Sequence, residues 1–455
     1  MSLNQSAPTI TLAGGGLVGS LLALILAKKG YQVEVFESRA DMRKVDMSAG
    51  RSINLALANR GIKPLEELGL MPQINEMLIP MVGRMIHVEG EPATMQPYGQ
   101  HKHEVIYSIS RGELNSFLLT EAENTGLVKI NFDTKISAVD FNSNQLTITQ
   151  GDQTKTLEFS KIIGTDGANS VLRDAILDAS KDQQLSVEVL DHSYKELHIS
   201  PDKQGQHKID KNALHIWPRG KFMLIALPNL DGSFTVTLFM PNKGKSSFAT
   251  VNDEAEIHAF FDQHFADIKP ELENLIGSFT TNPTGRLATI KCAPWNFADK
   301  ALIIGDAAHA IVPFHGQGMN CGFEDCQAMA EHLPDASEAD NGDWQEIFAK
   351  VANLRKPNGD AIADMALENY IEMRDSVIQA SFLKKKAFAF QLQQWFPTRF
   401  TPRYGMVMFE HRPYKEAFEF GKIHEQLLQE LIDSHASIDE LSQQAADTLL
   451  SRYGL

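Results

Sequence analysis

Gly14, Gly16 and Gly19 form a G-x-G-x-x-G pattern between the apolar run Thr9-Ile10-Thr11-Leu12 and a longer apolar stretch at 17–27. The short run reads as a strand and the longer one as a buried helix, and a glycine turn in that context narrows the fold sharply. Gly14 allows the tight turn, Gly16 lets main chain approach a pyrophosphate, and Gly19 permits close helix–strand packing. Gly30 ends the helix, and Tyr31-Gln32-Val33-Glu34-Val35-Phe36-Glu37 reads as a second strand. An acid at that strand's end accepts from an adenosine ribose hydroxyl and disfavours a 2′-phosphate. The opening of the chain therefore predicts a doubly wound α/β domain that holds FAD or NAD rather than NADP. Residues 17–27 imitate a signal-peptide core, but Lys28-Lys29 lie on the wrong side of it. The stretch is also shorter than the ~20 residues a bilayer span needs.

Two later elements repeat the strand–acid–helix theme. Lys161-Ile162-Ile163-Gly164 reads as a strand that runs into Asp166-Gly167, with Ser170 and Arg173 opening a helix. Taken alone, that is equally an Asp-Gly turn with a surface arginine. A third apolar run, 301–304, leads into Gly305-Asp306, a loop with Pro313, Gly316 and Gly318, and a helical stretch from Met319. Asp306 can accept from a sugar or ribityl hydroxyl, while a helix N-terminus stabilises a nearby anion by roughly 0.3–1 kcal/mol. A reduced flavin, anionic along its N1/C2 edge, is a ligand of that kind.

The net charge of −16 argues against nucleic acid or an anionic membrane as the main partner. Three cysteines, Cys292, Cys321 and Cys326, fit neither a disulfide framework nor a zinc site and indicate a reducing compartment. His309 and His315 lack a Cys/His/Asp cluster at ligand spacing, so no metal is expected. Residues 74–102 and 181–285 contain alternating apolar and polar runs, such as Phe234-Thr235-Val236-Thr237-Leu238-Phe239, and predict a β-sheet domain, which suits one wall of a substrate pocket. The FAD domain is expected at 1–73, 103–180 and 286–334, and a helical region at 335–455. Helices are expected at 324–333, 361–374 and 375–396, with Lys384-Lys385-Lys386 as a solvated face. Leu427, Leu428, Leu431 and Ile432 form a helical stripe in the polar tail.

The three strand–acid elements, in this order, resemble the single-component flavoprotein aromatic hydroxylases, which share the para-hydroxybenzoate hydroxylase fold. Longer strings narrow the resemblance to the kynurenine 3-monooxygenase family. They are Gly50-Arg51-Ser52-Ile53-Asn54-Leu55-Ala56-Leu57, Gly83-Arg84-Met85-Ile86-His87, Pro97-Tyr98-Gly99, His215-Ile216-Trp217-Pro218-Arg219 and Asn369-Tyr370-Ile371-Glu372-Met373-Arg374. The resemblance covers about residues 8–410. It implies an enzyme that oxidises NADPH, binds FAD and O2, and hydroxylates L-kynurenine to 3-hydroxy-L-kynurenine through a C4a-hydroperoxyflavin, in tryptophan degradation towards quinolinate and NAD. A related flavin enzyme acting on another aromatic, or a non-enzymatic FAD sensor, remains the alternative.

By the same resemblance, FAD contacts are expected at Gly14, Gly16, Val18, Gly19, Glu37, Ser38, Arg39, Ala56, Arg111, Ile136, Asp166, Val171, Asp306, Gly318, Met319 and Asn320. Substrate contacts are expected at Arg84, Tyr98, Asn369, Tyr404, Phe239, Pro313 and Phe314. Arg84 offers a planar fork for a carboxylate, although an arginine in an apolar run also serves as a structural ion-pair member. Tyr98, between Pro97 and Gly99, has a turn aromatic as its alternative reading. Leu214, Ile225, Leu227 and Phe239 read as pocket wall or ordinary core. An electron-rich aniline needs no general base, so no catalytic side chain is expected. Eukaryotic members carry a hydrophobic C-terminal anchor where this tail is polar, which implies an unanchored cytoplasmic enzyme. The oligomeric state stays open, with a dimer possible.

Overall fold

A computed structural model describes residues 9–44, 54–341 and 343–455. The motif residues Gly50, Arg51, Ser52 and Ile53 lie outside the described residues. The chain divides into two compact units, Met1–Met77, Ile109–Val189 and Ala288–Ala363 in the first, and Leu78–Ser108, Leu190–Leu287 and Asp364–Leu455 in the second. The residues after 335, expected as a region of their own, belong to the first unit through 363 and to the second from 364.

The first unit is built on a six-stranded sheet in the order Asn296–Phe297, Ala301–Ile303, Lys161–Gly164, Ile10–Ala13, Val33–Phe36, Val128–Asn131. Every pairing is parallel except that of the edge strand Asn296–Phe297. The strands are short and apolar because helices cover both faces of such a sheet. Counted along the chain, the order reverses on either side of Ile10–Ala13. Ligands of doubly wound sheets bind at such a reversal, beyond the carboxyl ends of the strands. The helix Leu17–Lys28 is buried almost throughout, and the helix Gly318–His332 lies close against it. A Cβ on Gly322 would stand 2.5 Å from Val18 Cγ2.

The second unit carries most of a seven-stranded sheet in the order Gly285–Ala293, Gln184–Ile199, Phe234–Pro241, Met223–Pro228, Ala213–Pro218, Gly83–Ile86, Thr94–Pro97. Leu197, Trp217, Leu224, Ala226, Val236, Leu238 and Met240 line one face and pack with Phe260, Phe261 and Phe265. Side chains alternate across a strand, so their sequence neighbours point the other way. Register then assembles the opposite face: Arg84 pairs with Leu214, Ile216 with Ile225, Ile225 with Thr237, and Met223 with Phe239. A satellite core of Phe388, Leu392, Phe400, Leu427, Leu431 and Leu450 knits the C-terminal helices together.

Two helix boundaries differ from expectation. Trp344–Arg374 is one 31-residue helix with Pro357 inside it. An interior proline removes a hydrogen bond and clashes with the carbonyl four residues back, at about 3 kcal/mol. Burial of Phe348, Val351, Ile362, Ala363, Met365 and Ala366 on both sides of the proline offsets that cost. Conversely, 375–396 is not continuous: a single turn at Ser376–Ile378 and extended Gln379 precede the helix Ala380–Trp395. Among the described residues no helix is long and apolar enough to cross a membrane.

Candidate functional site

In the first unit, four candidate elements converge because they leave adjacent parallel strands at the same end. Gly14 follows Ile10–Ala13, Glu37 follows Val33–Phe36, Asp166 follows Lys161–Gly164, and Gly305-Asp306 follows Ala301–Ile303. Gly14 takes φ +97°, and a Cβ there would stand 2.6 Å from the Thr165 carbonyl oxygen. A Cβ on Gly19 would lie 2.1 Å from the Gly14 carbonyl oxygen, whereas one on Gly16 would meet nothing within 4 Å. Thus Gly14 and Gly19 serve the packing of strand on helix, while Gly16 faces open space. The helix behind it starts with no side-chain cap, leaving the positive end of its dipole unscreened.

Glu37 is buried and accepts from Gly15 N at 2.8 Å and from Arg39 N and Nε at 2.9 and 2.8 Å. Burial alone would raise its pKa, but the Arg39 guanidinium and these N–H groups hold the carboxyl below its ordinary value. Ser38 and Arg39 are exposed beside it. Arg111 is exposed at the start of the helix Arg111–Asn124, and Ile136 is buried in Lys135–Asp140.

Asp166 accepts from Ser170 Oγ at 2.5 Å and Val171 N at 2.8 Å, so its carboxylate caps the helix Val171–Asp178. Arg173, considered as a surface residue, is buried; its Nη1 donates to the Ala168 carbonyl at 2.9 Å. Asp306 is the one exposed residue of 301–310. The helix Gly318–His332 likewise starts without a side-chain cap, with Met319 buried in its first turn. Asn320 is fully buried: its Oδ1 accepts from Ala58 N at 2.9 Å, and its Nδ2 donates to the Ala56 and Gly316 carbonyls at 2.9 and 2.8 Å. Its side chain is thereby committed to the backbone, and only its main chain is left to meet a ligand. Pro313 and Phe314 form a single turn, with Phe314 buried. Two uncapped helix starts, an open glycine and two acids at adjoining strand ends suit a dinucleotide with a pyrophosphate, ribityl hydroxyls and an electron-rich ring edge.

In the second unit, three of the residues expected at the substrate, Tyr98, Asn369 and Tyr404, meet around Arg84; Pro313 and Phe314 belong to the first unit. Its side chain is 8% exposed; Nη1 donates to Glu372 Oε1 at 2.7 Å and Nη2 to Asn369 Oδ1 at 3.3 Å. The guanidinium carbon lies 5.1 Å from the centre of the Tyr404 ring, which stacks on Tyr98 at 5.1 Å and 10°. Tyr98 is therefore buried in an aromatic stack, at the bend that follows the strand Thr94–Pro97. Its Oη sits against Arg84 and Tyr404 without a hydrogen bond of good geometry, and burial pushes its pKa up to about 12. For Arg84, burial favours the neutral form, but the Glu372 charge outweighs it and the guanidinium stays protonated. Phe239 is buried and Ile225 half-buried on the sheet face that Arg84 shares.

Glu372 was missed by motif reading, although it follows Asn369 by three residues and so lies on the same helical face. The expectation of a solvated face at 384–386 needs correction. All three lysines are half-buried: Lys384 Nζ donates to the Ile432 carbonyl at 2.8 Å, Lys385 pairs with Glu425, and Lys386 lies over the Phe390 ring at 5.5 Å. Burial and the Arg84 cation push the Lys386 pKa down to about 8, against the pull of Glu372. Unfolded, the same amine titrates near 10.4. Below about 8 the proton is bound in both states and its burial penalty is fully present. As the pH rises through that window folding releases the proton, so this group favours the folded state increasingly. Lys386→Met should flatten that rise, measured as the difference in melting temperature between variant and parent from pH 7 to 10; an unchanged difference would place Lys386 in solvent.

The reading that His309 lacks ligand-type neighbours is also corrected. His309, Cys321 and Asp325 come together, all buried, because a helical turn brings 321 and 325 onto one face. The Arg355 guanidinium occupies the same cluster, 2.7 Å from Asp325 Oδ1 and 3.4 Å from Cys321 Sγ. A fixed cation there opposes a second one.

Residues 7–343 match the model of a family described as an FAD binding domain. The chain is 44% identical to kynurenine 3-monooxygenase of Myxococcus xanthus, over 98% of this chain and 95% of that protein. It is also 44% identical to kynurenine 3-monooxygenase of Stenotrophomonas maltophilia, over 96% and 95%. Among solved structures it resembles 2-methyl-3-hydroxypyridine-5-carboxylic acid oxygenase, with a TM-score of 0.66 and 18% identity over 83% of this chain and 95% of that one. The p-nitrophenol 4-monooxygenase of Pseudomonas putida gives 0.63 and 16% over 93% and 98%. At such identities these two speak for the fold alone. The fold and the family match define an FAD-dependent monooxygenase. Within that class, the chain belongs to the kynurenine 3-monooxygenase family.

Proposed function

We propose that this protein hydroxylates L-kynurenine to 3-hydroxy-L-kynurenine, consuming NADPH and O2, as a step of tryptophan degradation towards quinolinate and NAD. The observation that carries this is the Arg84 cluster: a buried guanidinium and a carboxylate side by side, backed by stacked tyrosines. An amino-acid head is a zwitterion, and such a pair complements it. Arg84 receives the carboxylate through its fork, Glu372 accepts from the ammonium, and Asn369 and Tyr98 Oη add hydrogen bonds. Leu214, Ile225, Leu227 and Phe239 on the sheet supply apolar wall to hold the aromatic ring and keep water away.

FAD, when bound, supplies the activation of O2 and the oxygen transfer. The first unit is its domain in this reading and the second the substrate domain. Gly16 and the start of Leu17–Lys28 take the pyrophosphate, Glu37 with Ser38 and Arg39 the adenosine ribose, and Asp306 the ribityl chain. The main chain of Gly318, Met319 and Asn320 faces the electron-rich ring edge, with Val18, Ala56, Arg111, Ile136, Asp166 and Val171 completing the bed. No side chain is required as nucleophile or general base, because the aniline ring is itself electron-rich; the chain's work is binding, orientation and exclusion of water. Three buried free thiols suit a cytoplasmic location.

The deciding experiment is NADPH oxidation by the purified yellow protein with and without kynurenine, with the product identified. Faster oxidation and a 3-hydroxylated product are expected. Turnover stimulated only by another aromatic would move the substrate assignment, and flavin binding without stimulated turnover would indicate a sensor.

A further inference from the structure

Asp325 is fully buried in the helix Gly318–His332, and nothing in the binding scheme above uses it. Its Oδ2 accepts from Gly305 N at 2.9 Å and from His309 Nε2 at 2.5 Å, and its Oδ1 accepts from Arg355 Nε at 2.7 Å. The carboxylate accepts, so His309 carries its proton on Nε2. Gly305 stands at φ +61°, ψ −146°, a conformation open to glycine, and its carbonyl accepts from Ala308 N and His309 N, both at 2.9 Å. The turn that presents Asp306 is thus gripped at both ends by one carboxylate. His309 is held in turn by the Trp295 ring at 5.2 Å and by Gly359, where a Cβ would stand 3.1 Å from that of His309. Arg355 also donates to Glu324 at 3.1 Å, and Glu324 accepts from buried Arg60 at 2.8 Å. One turn or so earlier on the same helix, Asn320 clamps Ala56, Ala58 and Gly316.

We propose that Asp325 is a positioning residue for the cofactor: through Gly305 and His309 it fixes Asp306 relative to the start of the helix that carries Met319 and Asn320. This rests on the reading of Asp306 and that helix start as FAD contacts. It goes beyond it in assigning the precision of the site to a buried carboxylate that touches no ligand. Asp325→Asn tests it directly. An amide offers one acceptor and one donor where three donors converge, so either orientation sets an NH2 against Gly305 and His309 or against Arg355.

The readout is FAD affinity of folded apoprotein, from quenching of flavin fluorescence on titration well below the melting temperature. Groups that orient a metal's ligands typically cost 10–100-fold in affinity when changed, and a loss of roughly that size is expected for Asp325→Asn. His309→Ala should show a loss in the same direction. His309→Gln, which keeps a donor aimed at Asp325, should recover most of it. A role confined to stability would lower the apoprotein's melting temperature and leave FAD affinity of the folded protein unchanged; that result in Asp325→Asn would overturn the proposal. Should that variant not fold, equal FAD affinities in His309→Ala and His309→Gln would overturn it instead. The unaltered protein is the control for the underlying reading: if its apoprotein takes up no FAD, the cofactor assignment itself fails. If it binds FAD and the variants match it, only the role of Asp325 falls.

Discussion

Replacing Arg84 with alanine is expected to raise the KM for kynurenine by roughly thirtyfold to several thousandfold. That range corresponds to the ~2–5 kcal/mol lost when one partner of a buried, hydrogen-bonded charge pair is removed. Ground-state binding of the amino-acid head is what disappears, so kcat should change far less than KM. Arg84 also pairs with Glu372 in the absence of substrate, and this sharpens the test. Glu372 keeps 26% of its side chain exposed, so water can take up the carboxylate that Arg84 leaves, and the fold should survive. Arg84→Lys keeps the charge without the fork and should fall between parent and alanine variant. A substrate analogue without its carboxylate should lose affinity for the parent protein and lose nothing further for Arg84→Ala. A KM within about twofold of the parent in folded Arg84→Ala, against that expected ~2–5 kcal/mol, would make Arg84 the structural ion-pair member that its apolar surroundings also allow.

The second large effect concerns two glycines of one motif, Gly16 and Gly19, whose roles differ. Gly19→Ala puts a methyl group 2.1 Å from the Gly14 carbonyl oxygen and 2.6 Å from Thr165 Oγ1. Thr165 is itself fixed, donating to the Ala13 and Gly14 carbonyls at 2.9 and 2.8 Å, and no rotamer relieves a clash with main chain. The helix Leu17–Lys28 must move off the sheet. Overpacking of this kind costs about 1–3 kcal/mol, occasionally more, so the apoprotein should lose several degrees of melting temperature and FAD affinity should fall with it. Gly16→Ala should behave differently. Its Cβ meets nothing in the protein within 4 Å, and its φ of −71° suits any residue. Apoprotein stability should therefore hold while FAD affinity drops, because in the proposed arrangement the methyl group would occupy the pyrophosphate's space. Unchanged FAD affinity in Gly16→Ala would remove the pyrophosphate from that position.

Much of this architecture is legible in the chain because it depends on local pattern. A strand, a glycine turn and an apolar helix in succession define a mononucleotide-binding unit, and short apolar runs ending in an acid mark the other parallel strands. Helix ends were less legible. Pro357 carries a local penalty that a sequence reading weighs correctly but cannot set against the burial of Phe348, Ile362 and Met365. Lys386 illustrates the same gap: three consecutive lysines read as solvated, yet the helix turns them toward different neighbours, and one comes under the influence of Arg84 and Glu372.

The sequence by itself determined the nucleotide-binding topology, the acids at the strand ends and the family, because each is written in residues close together in the chain. Only the tertiary structure decided which distant residues share a surface. Strand register placed Arg84, Leu214, Ile225 and Phe239 on one face of the second sheet, opposite the aromatic core. Helical periodicity aimed Asn369 and Glu372 together at Arg84. Packing of helix on turn gathered Gly305 and His309, from one turn, and the distant Arg355 around Asp325. The reason is that a buried charge must find its partners wherever the fold brings them, and that placement is a property of the packed chain rather than of any one segment.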